Sequence, residues 1–129
     1  MGTAGVRALD LVSLARRLGK NQDECSLRCA ASLAYYGAFH FAGEGLEQLT
    51  SSEPNPFQWS GTRKSHIQLR EEWRTRGGES GRTIATSLFN AHELRKKADY
   101  DLHAVFTPED KEEAFGFVAQ VLLAGRRAR

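Results

Sequence analysis

Proline, cysteine and long apolar runs are all scarce in this chain, and each shortage removes a class of structure. Of 129 residues only three are proline and two are cysteine. No apolar stretch approaches the roughly 20 residues that a bilayer-spanning helix needs, so no membrane insertion is expected. Cys25 and Cys29 lie four apart. On a helix that spacing makes a mutual disulfide awkward, and two thiolates alone cannot complete a zinc site, so both read as small buried side chains. The histidines have no ligand spacing and no carboxylates clustered with them, so no metal is expected either. The first 19 residues have no uninterrupted apolar core of a secretory leader, because Arg7 and Asp10 break it; the expected location is cytoplasmic. Neither a strand-like alternation nor an internal repeat is present.

What is present suits one soluble all-α domain over residues 1–129. The chain is 40% hydrophobic and 26% charged, and its length can bury a core without staples. Net charge is +2 and uneven: residues 1–60 sum to −1, 61–97 to +5 and 98–129 to −2. A basic middle third suits either a solvated helix face or a weak nucleic-acid surface.

The organising stretch is Cys25–Leu49, which has no proline and repeats Leu27, Ala30, Ala31, Ala34, Tyr35, Ala38 and Ala42 at three- and four-residue steps. It predicts the central helix of a bundle, with a small-residue surface that other helices can approach closely. A first helix is predicted over Val6–Leu18, with Val6, Leu9, Val12 and Leu14 apolar and Gly19 ending it; Asn21 or Asp23 caps the next. Pro54 and Pro56 mark a loop. A third, shorter helix fits Arg63–Arg74, with Ile67, Leu69, Trp73 and His66 on its buried side. The glycine-rich run RTRGGESGR, 74–82, then reads as a mobile connection; it lacks the Lys-Ser/Thr ending and the strand of a phosphate-binding loop, and no cofactor is expected. A fourth helix follows over Thr83–Tyr100. The fifth starts at Thr107 and Pro108, a hydroxyl cap with proline at the first position, and ends at Gly125.

The chemistry concentrates in His92–His103. At about 100° per residue, His92, Arg95 and Asp99 fall within about 60° of one another. A guanidinium can hold a phosphate by paired hydrogen bonds, and a histidine can take or return a proton, which together suffice to cleave RNA. The structural alternative is an Arg95–Asp99 ion pair on a solvated face. His40, inside an apolar helix, reads as a hydrogen-bonded core histidine or a ligand contact; His66 reads as a group that bonds backbone or lines a cleft.

Four stretches carry a resemblance to a family: ASLAYYGAFHFA (31–42), GTRKSH (61–66), LRKKADYD (94–101) and TPEDKEEAFGFVAQVLL (107–123). They resemble the small prokaryotic HEPN proteins (higher eukaryotes and prokaryotes nucleotide-binding) over nearly the whole chain. The resemblance implies an antiparallel four-helix bundle with an additional short helix, paired as a homodimer whose arginine segments meet at a cleft. Many such proteins are ribonucleases with an arginine, a polar residue, and a histidine after four to six intervening residues. Here Arg95 and Lys96 match the first two places, Tyr100 stands after four intervening residues and His103 after seven. Arg95, Tyr100 and His103 are thus the expected catalytic residues, with Lys96, Asp99, His40 and His66 contacting substrate. Other members bind nucleotides or are toxins neutralised by a small nucleotidyltransferase, which can modify a tyrosine near the motif; Tyr100 is the candidate acceptor. Expected partners are a second copy, RNA, and a nucleotidyltransferase antitoxin. The two resulting readings are a toxin or defence ribonuclease and a non-catalytic dimer that binds a nucleotide or protein.

Overall fold

Helix periodicity is realised in five places. The computed structural model describes residues 5–59 and 65–128 and contains α1 (Ala8–Leu18), α2 (Glu24–Leu49), α3 (His66–Arg76), α4 (Gly78–Tyr100) and α5 (Pro108–Arg127). Among the described residues there is no strand, and no helix is long and apolar enough to cross a membrane. The fold is all-α.

Three helix starts carry side-chain caps. Asp23 accepts from the Ser26 amide at 3.0 Å. Ser65 and Gln68, and likewise Thr107 and Asp110, cap each other reciprocally, with Pro108 opening α5. The expected start of the third helix at Arg63, and most of the GTRKSH motif, lie outside the described residues.

The glycine-rich run at 74–82 is not a mobile connection. α3 continues to Arg76, and α4 begins at Gly78, five residues before the expected Thr83. Gly78 has φ +63°, the left-handed conformation that turns the chain in one step. A Cβ on Gly81 would lie 2.0 Å from the Trp73 carbonyl oxygen, and one on Gly77 2.5 Å from the Trp73 ring. These glycines serve close approach rather than flexibility. Likewise Gly125 does not end α5; it lets the Phe41 ring pack against the helix, where a Cβ would meet it at 2.7 Å.

α2 is the central element and packs against α1, α3, α4 and α5. Ala30, Ala31, Ala34, Ala38, Ala42 and Leu46 are all buried along it. Side-chain pairings set the directions. Arg28 meets the end of α4 while Tyr35 stacks on His92, so α2 and α4 are antiparallel. His66 stacks on His92 and Arg70 covers Phe89, so α3 and α4 are antiparallel too. Trp73 is buried and donates from Nε1 to the Ala42 carbonyl at 2.9 Å, which fixes α3 to α2.

Several expectations about faces are corrected. Val6, Leu9 and Leu14 are exposed; the side of α1 that packs is Ala8, Val12 and Ala15. Ile67 is 64% exposed, because it lies two residues and about 200° round the helix from buried Leu69. Cys25 and Cys29 are exposed thiols, not buried ones. Tyr35, Phe39 and Trp73, the bulky aromatic side chains of α2 and α3, are buried within the single chain.

Arg28 ties the start of α2 to the end of α4. Its Nη1 donates to the Lys97 and Ala98 carbonyls at 3.0 and 2.9 Å, and its Nη2 to Asp101 O at 3.2 Å and to Ala104 O. Nε donates to Glu24 at 2.9 Å, which balances the charge. Carbonyls at a helix C-terminus have no intrahelical donor and carry partial negative charge, so a guanidinium meets both needs.

Arg28→Ala should lower the unfolding free energy by about 3 kcal/mol, because it strands the Ala98 and Ala104 carbonyls and removes the partner of Glu24; urea unfolding measures it. Gly37→Ala should also destabilise, by about 1–2 kcal/mol, since the new methyl would meet Val12 Cγ2 at 2.6 Å and the Ala8 carbonyl at 3.0 Å. Gly116→Ala, with nothing within 4 Å, should instead stabilise α5 by up to about 1 kcal/mol.

Candidate functional site

The polar stripe of α4 faces α2 and the start of α3. Arg95 is enclosed, with its side chain only 11% exposed. Its guanidinium lies 4.8 Å from the Tyr36 ring centroid and 5.3 Å from that of Tyr100. Nη2 donates to the Tyr36 hydroxyl and, at 3.3 Å, to the Tyr100 hydroxyl. Nε sits 2.8 Å from Asp99 Oδ2 but is not aimed at it, so the two form an ion pair without a hydrogen bond. Ser32 Oγ donates to that same oxygen at 3.1 Å, which holds the carboxylate in place. Burial opposes the charge on Arg95; Tyr36, Asp99 and Tyr100 more than offset it, and its pKa rises. The ion pair expected from spacing is therefore present, but it is partly buried and sandwiched by two phenols rather than solvated.

One turn back along α4, His92 stacks on His66 with ring centroids 4.4 Å apart, and on Tyr35 at 5.1 Å. The Tyr35 hydroxyl and His66 Nδ1 share a 2.5 Å hydrogen bond. Burial pushes His92 down to about 4, helped by the positive charge of His66, Arg70, Lys96 and Arg95. Burial, then Arg95 and Arg70, also lowers His66. Burial raises the Tyr35 phenol, which stays protonated at neutral pH. Both imidazoles are consequently uncharged at pH 7; His66 Nδ1 is engaged with the Tyr35 hydroxyl, which leaves His92 as the available proton acceptor. Among the described residues no group of three or more His, Cys, Asp or Glu is placed to hold a metal ion.

The remaining expected residues fall in different places. Tyr100 joins the group through Arg95 and is 69% exposed. Lys96 is exposed and paired with Glu93 at 2.7 Å. His103 stands exposed between α4 and α5, with no hydrogen bond to Arg95 among the described residues. His40 is exposed, not a core histidine, with its ring 5.8 Å from that of Trp59. It follows buried Phe39 directly, and one step of about 100° takes it off the packed face.

Sequence reasoning missed Arg70. It lies one turn beyond His66 on α3, its guanidinium 5.3 Å from the Phe89 ring, and its buried Nη1 has no hydrogen-bond partner among the described residues. The i, i+4 spacing of His66 and Arg70 was visible, but the opposing i, i+3 pair Phe89 and His92 comes from another helix. Together these residues can bind an anion beside one uncharged proton acceptor, His92.

No family model matches the chain, and no curated protein matches it.

The depressed His92 gives a signed pH dependence. Its pKa is about 4 in the folded chain against 6.5 for an unperturbed imidazole, so the unfolded chain binds more protons between those values and stability rises with pH across that window. Urea unfolding should show stability falling as pH drops from 6.5 to 4, and His92→Gln should flatten that slope. In an NMR titration the His92 ring should remain neutral down to about pH 5; an ordinary midpoint near 6.5 would contradict this site geometry.

Proposed function

We propose that this protein acts on RNA as a HEPN-type endoribonuclease, a toxin or defence component. In this reading α1, α2, α4 and α5 form the antiparallel four-helix bundle and α3 is the additional short helix. Two copies pair in the cytoplasm with their α4 segments at a shared cleft. The observation that carries it is an uncharged imidazole, His92, one helical turn from the Arg95 guanidinium on α4. In the reaction His92 takes the proton of a ribose 2′-hydroxyl. The 2′-oxygen attacks phosphorus, the bond to the 5′-oxygen breaks, and that oxygen leaves with a proton from an acid such as the Tyr100 phenol. The products are a 2′,3′-cyclic phosphate and a 5′-hydroxyl, while Arg95 stabilises charge on the phosphate oxygens. His92 replaces His103 as the favoured base, because His103 is exposed beyond the end of α4 and has no hydrogen bond to this group among the described residues.

One observation favours a second reading, a non-catalytic HEPN dimer that binds a nucleotide or a partner such as a nucleotidyltransferase. Arg95 Nη2 already donates to two phenols, and Asp99 lies beside Nε, so part of the guanidinium is committed within the chain.

The test uses end-labelled RNA and protein purified free of any antitoxin. Cleavage should leave cyclic phosphate ends; Arg95→Ala and His92→Ala should each reduce the rate by about 100-fold or more, and Arg95→Lys should recover little. His103→Ala should be neutral, and Tyr100→Phe slower if the phenol is the acid. Circular dichroism must accompany Arg95→Ala, because this side chain is enclosed. Binding should weaken as salt rises, and light scattering should report a dimer. A wild-type protein that binds RNA or nucleotide without cleaving it would establish the second reading instead.

A further inference from the structure

The row of facing side chains from α3 and α4 does not end at the histidine pair. Beyond it, away from Arg95, lie Arg70 and Phe89. Phe89 is 47% exposed, with the Arg70 guanidinium 5.3 Å from its ring centroid. Nη1 of Arg70 is buried, and no described residue accepts its hydrogen bond. A buried N–H without an acceptor is unfavourable until an oxygen reaches it. Along α4, Phe89 and Arg95 are six residues apart, an axial rise of about 9 Å. In order along α4 these contacts are a guanidinium against two phenol rings, then two stacked imidazoles, then a second guanidinium beside a half-open ring.

We propose that Arg70 and Phe89 form a second binding point beside the histidine pair, which holds a neighbouring phosphate and stacks the adjoining base of a single-stranded RNA whose scissile phosphate lies on Arg95. This inference rests on the reading of the protein as RNA-binding. A lone phosphate would engage one guanidinium and neither exposed ring. A repeating phosphate and base unit uses both, since every base has a face that can stack on an aromatic side chain. A duplex keeps its bases stacked inside and cannot offer one to Phe89.

The experiment measures binding of a short fluorescein-labelled oligouridylate by anisotropy, over a range of salt, with full-length wild type and single variants. Arg70→Ala should weaken binding about tenfold and lower the salt slope by about one, while Arg70→Lys should keep the slope. Phe89→Ala should weaken binding about tenfold with the salt slope unchanged, and Phe89→Tyr should restore it. Arg70→Gln and circular dichroism guard against a folding defect. If Arg95→Ala loses binding while folded Arg70 and Phe89 variants bind like wild type, the second binding point is refuted and the RNA reading stands. If wild type binds no strand at low salt, both fall. Equal affinity for a fully paired hairpin would overturn the single-strand assignment.

Discussion

The capping of α4 by Arg28 is the interaction on which the site depends. A side chain near the start of α2 reaches the carbonyls of Lys97, Ala98, Asp101 and Ala104, and so fixes where α4 ends relative to α2. The two helices then meet in register as they run in opposite directions. Ser32 meets Asp99, and the adjacent Tyr36 and Tyr35, a turn further along α2, meet Arg95 and His92, which are successive turns of α4. A buried cation is unfavourable unless paired and hydrogen-bonded, and Arg28 is both, through Glu24 and the helix-end carbonyls. Its burial therefore serves geometry without leaving an uncompensated charge.

The same arrangement makes the site electrostatically lopsided. Arg70, Arg95 and Lys96 act together on His92, whereas the acids nearby are engaged: Asp99 beside Arg95, Glu93 with Lys96. Excess positive charge and burial keep the imidazoles deprotonated, which is the state a general base requires. An incoming phosphate would reverse part of that field and favour protonation of the same rings. A group that accepts a proton more readily with an anion beside it would suit the proposed transfer at phosphorus.

Glycine and alanine contribute by what they leave out. The corner at Gly77 and Gly78 and the bare surface of Gly81 bring α4 onto Trp73, and the short turn thereby places His66 opposite His92. Gly37 does the same for α1, whose Val12 occupies the space a side chain would need. Close approach here is a packing requirement, and larger residues at these positions would push apart the helices that carry the site.

All five helices, the caps at Asp23 and Thr107, and the buried faces of α2 and α4 were legible in the sequence, because they follow from local periodicity and hydrogen-bonding chemistry within a few residues. So was the alignment of His92, Arg95 and Asp99, since one helix contains all three. The exposure of Ile67 and His40, the tight corner mistaken for a loop, the enclosure of Arg95 by Tyr36 and Tyr100, and the pairing of His66 with His92 were not. Glycine permits both a flexible loop and a close contact, and composition cannot distinguish them until a neighbour occupies the space. Histidine and arginine take their protonation and their partners from whatever lies opposite. Those partners belong to other helices, so only packing decided which residues became one site.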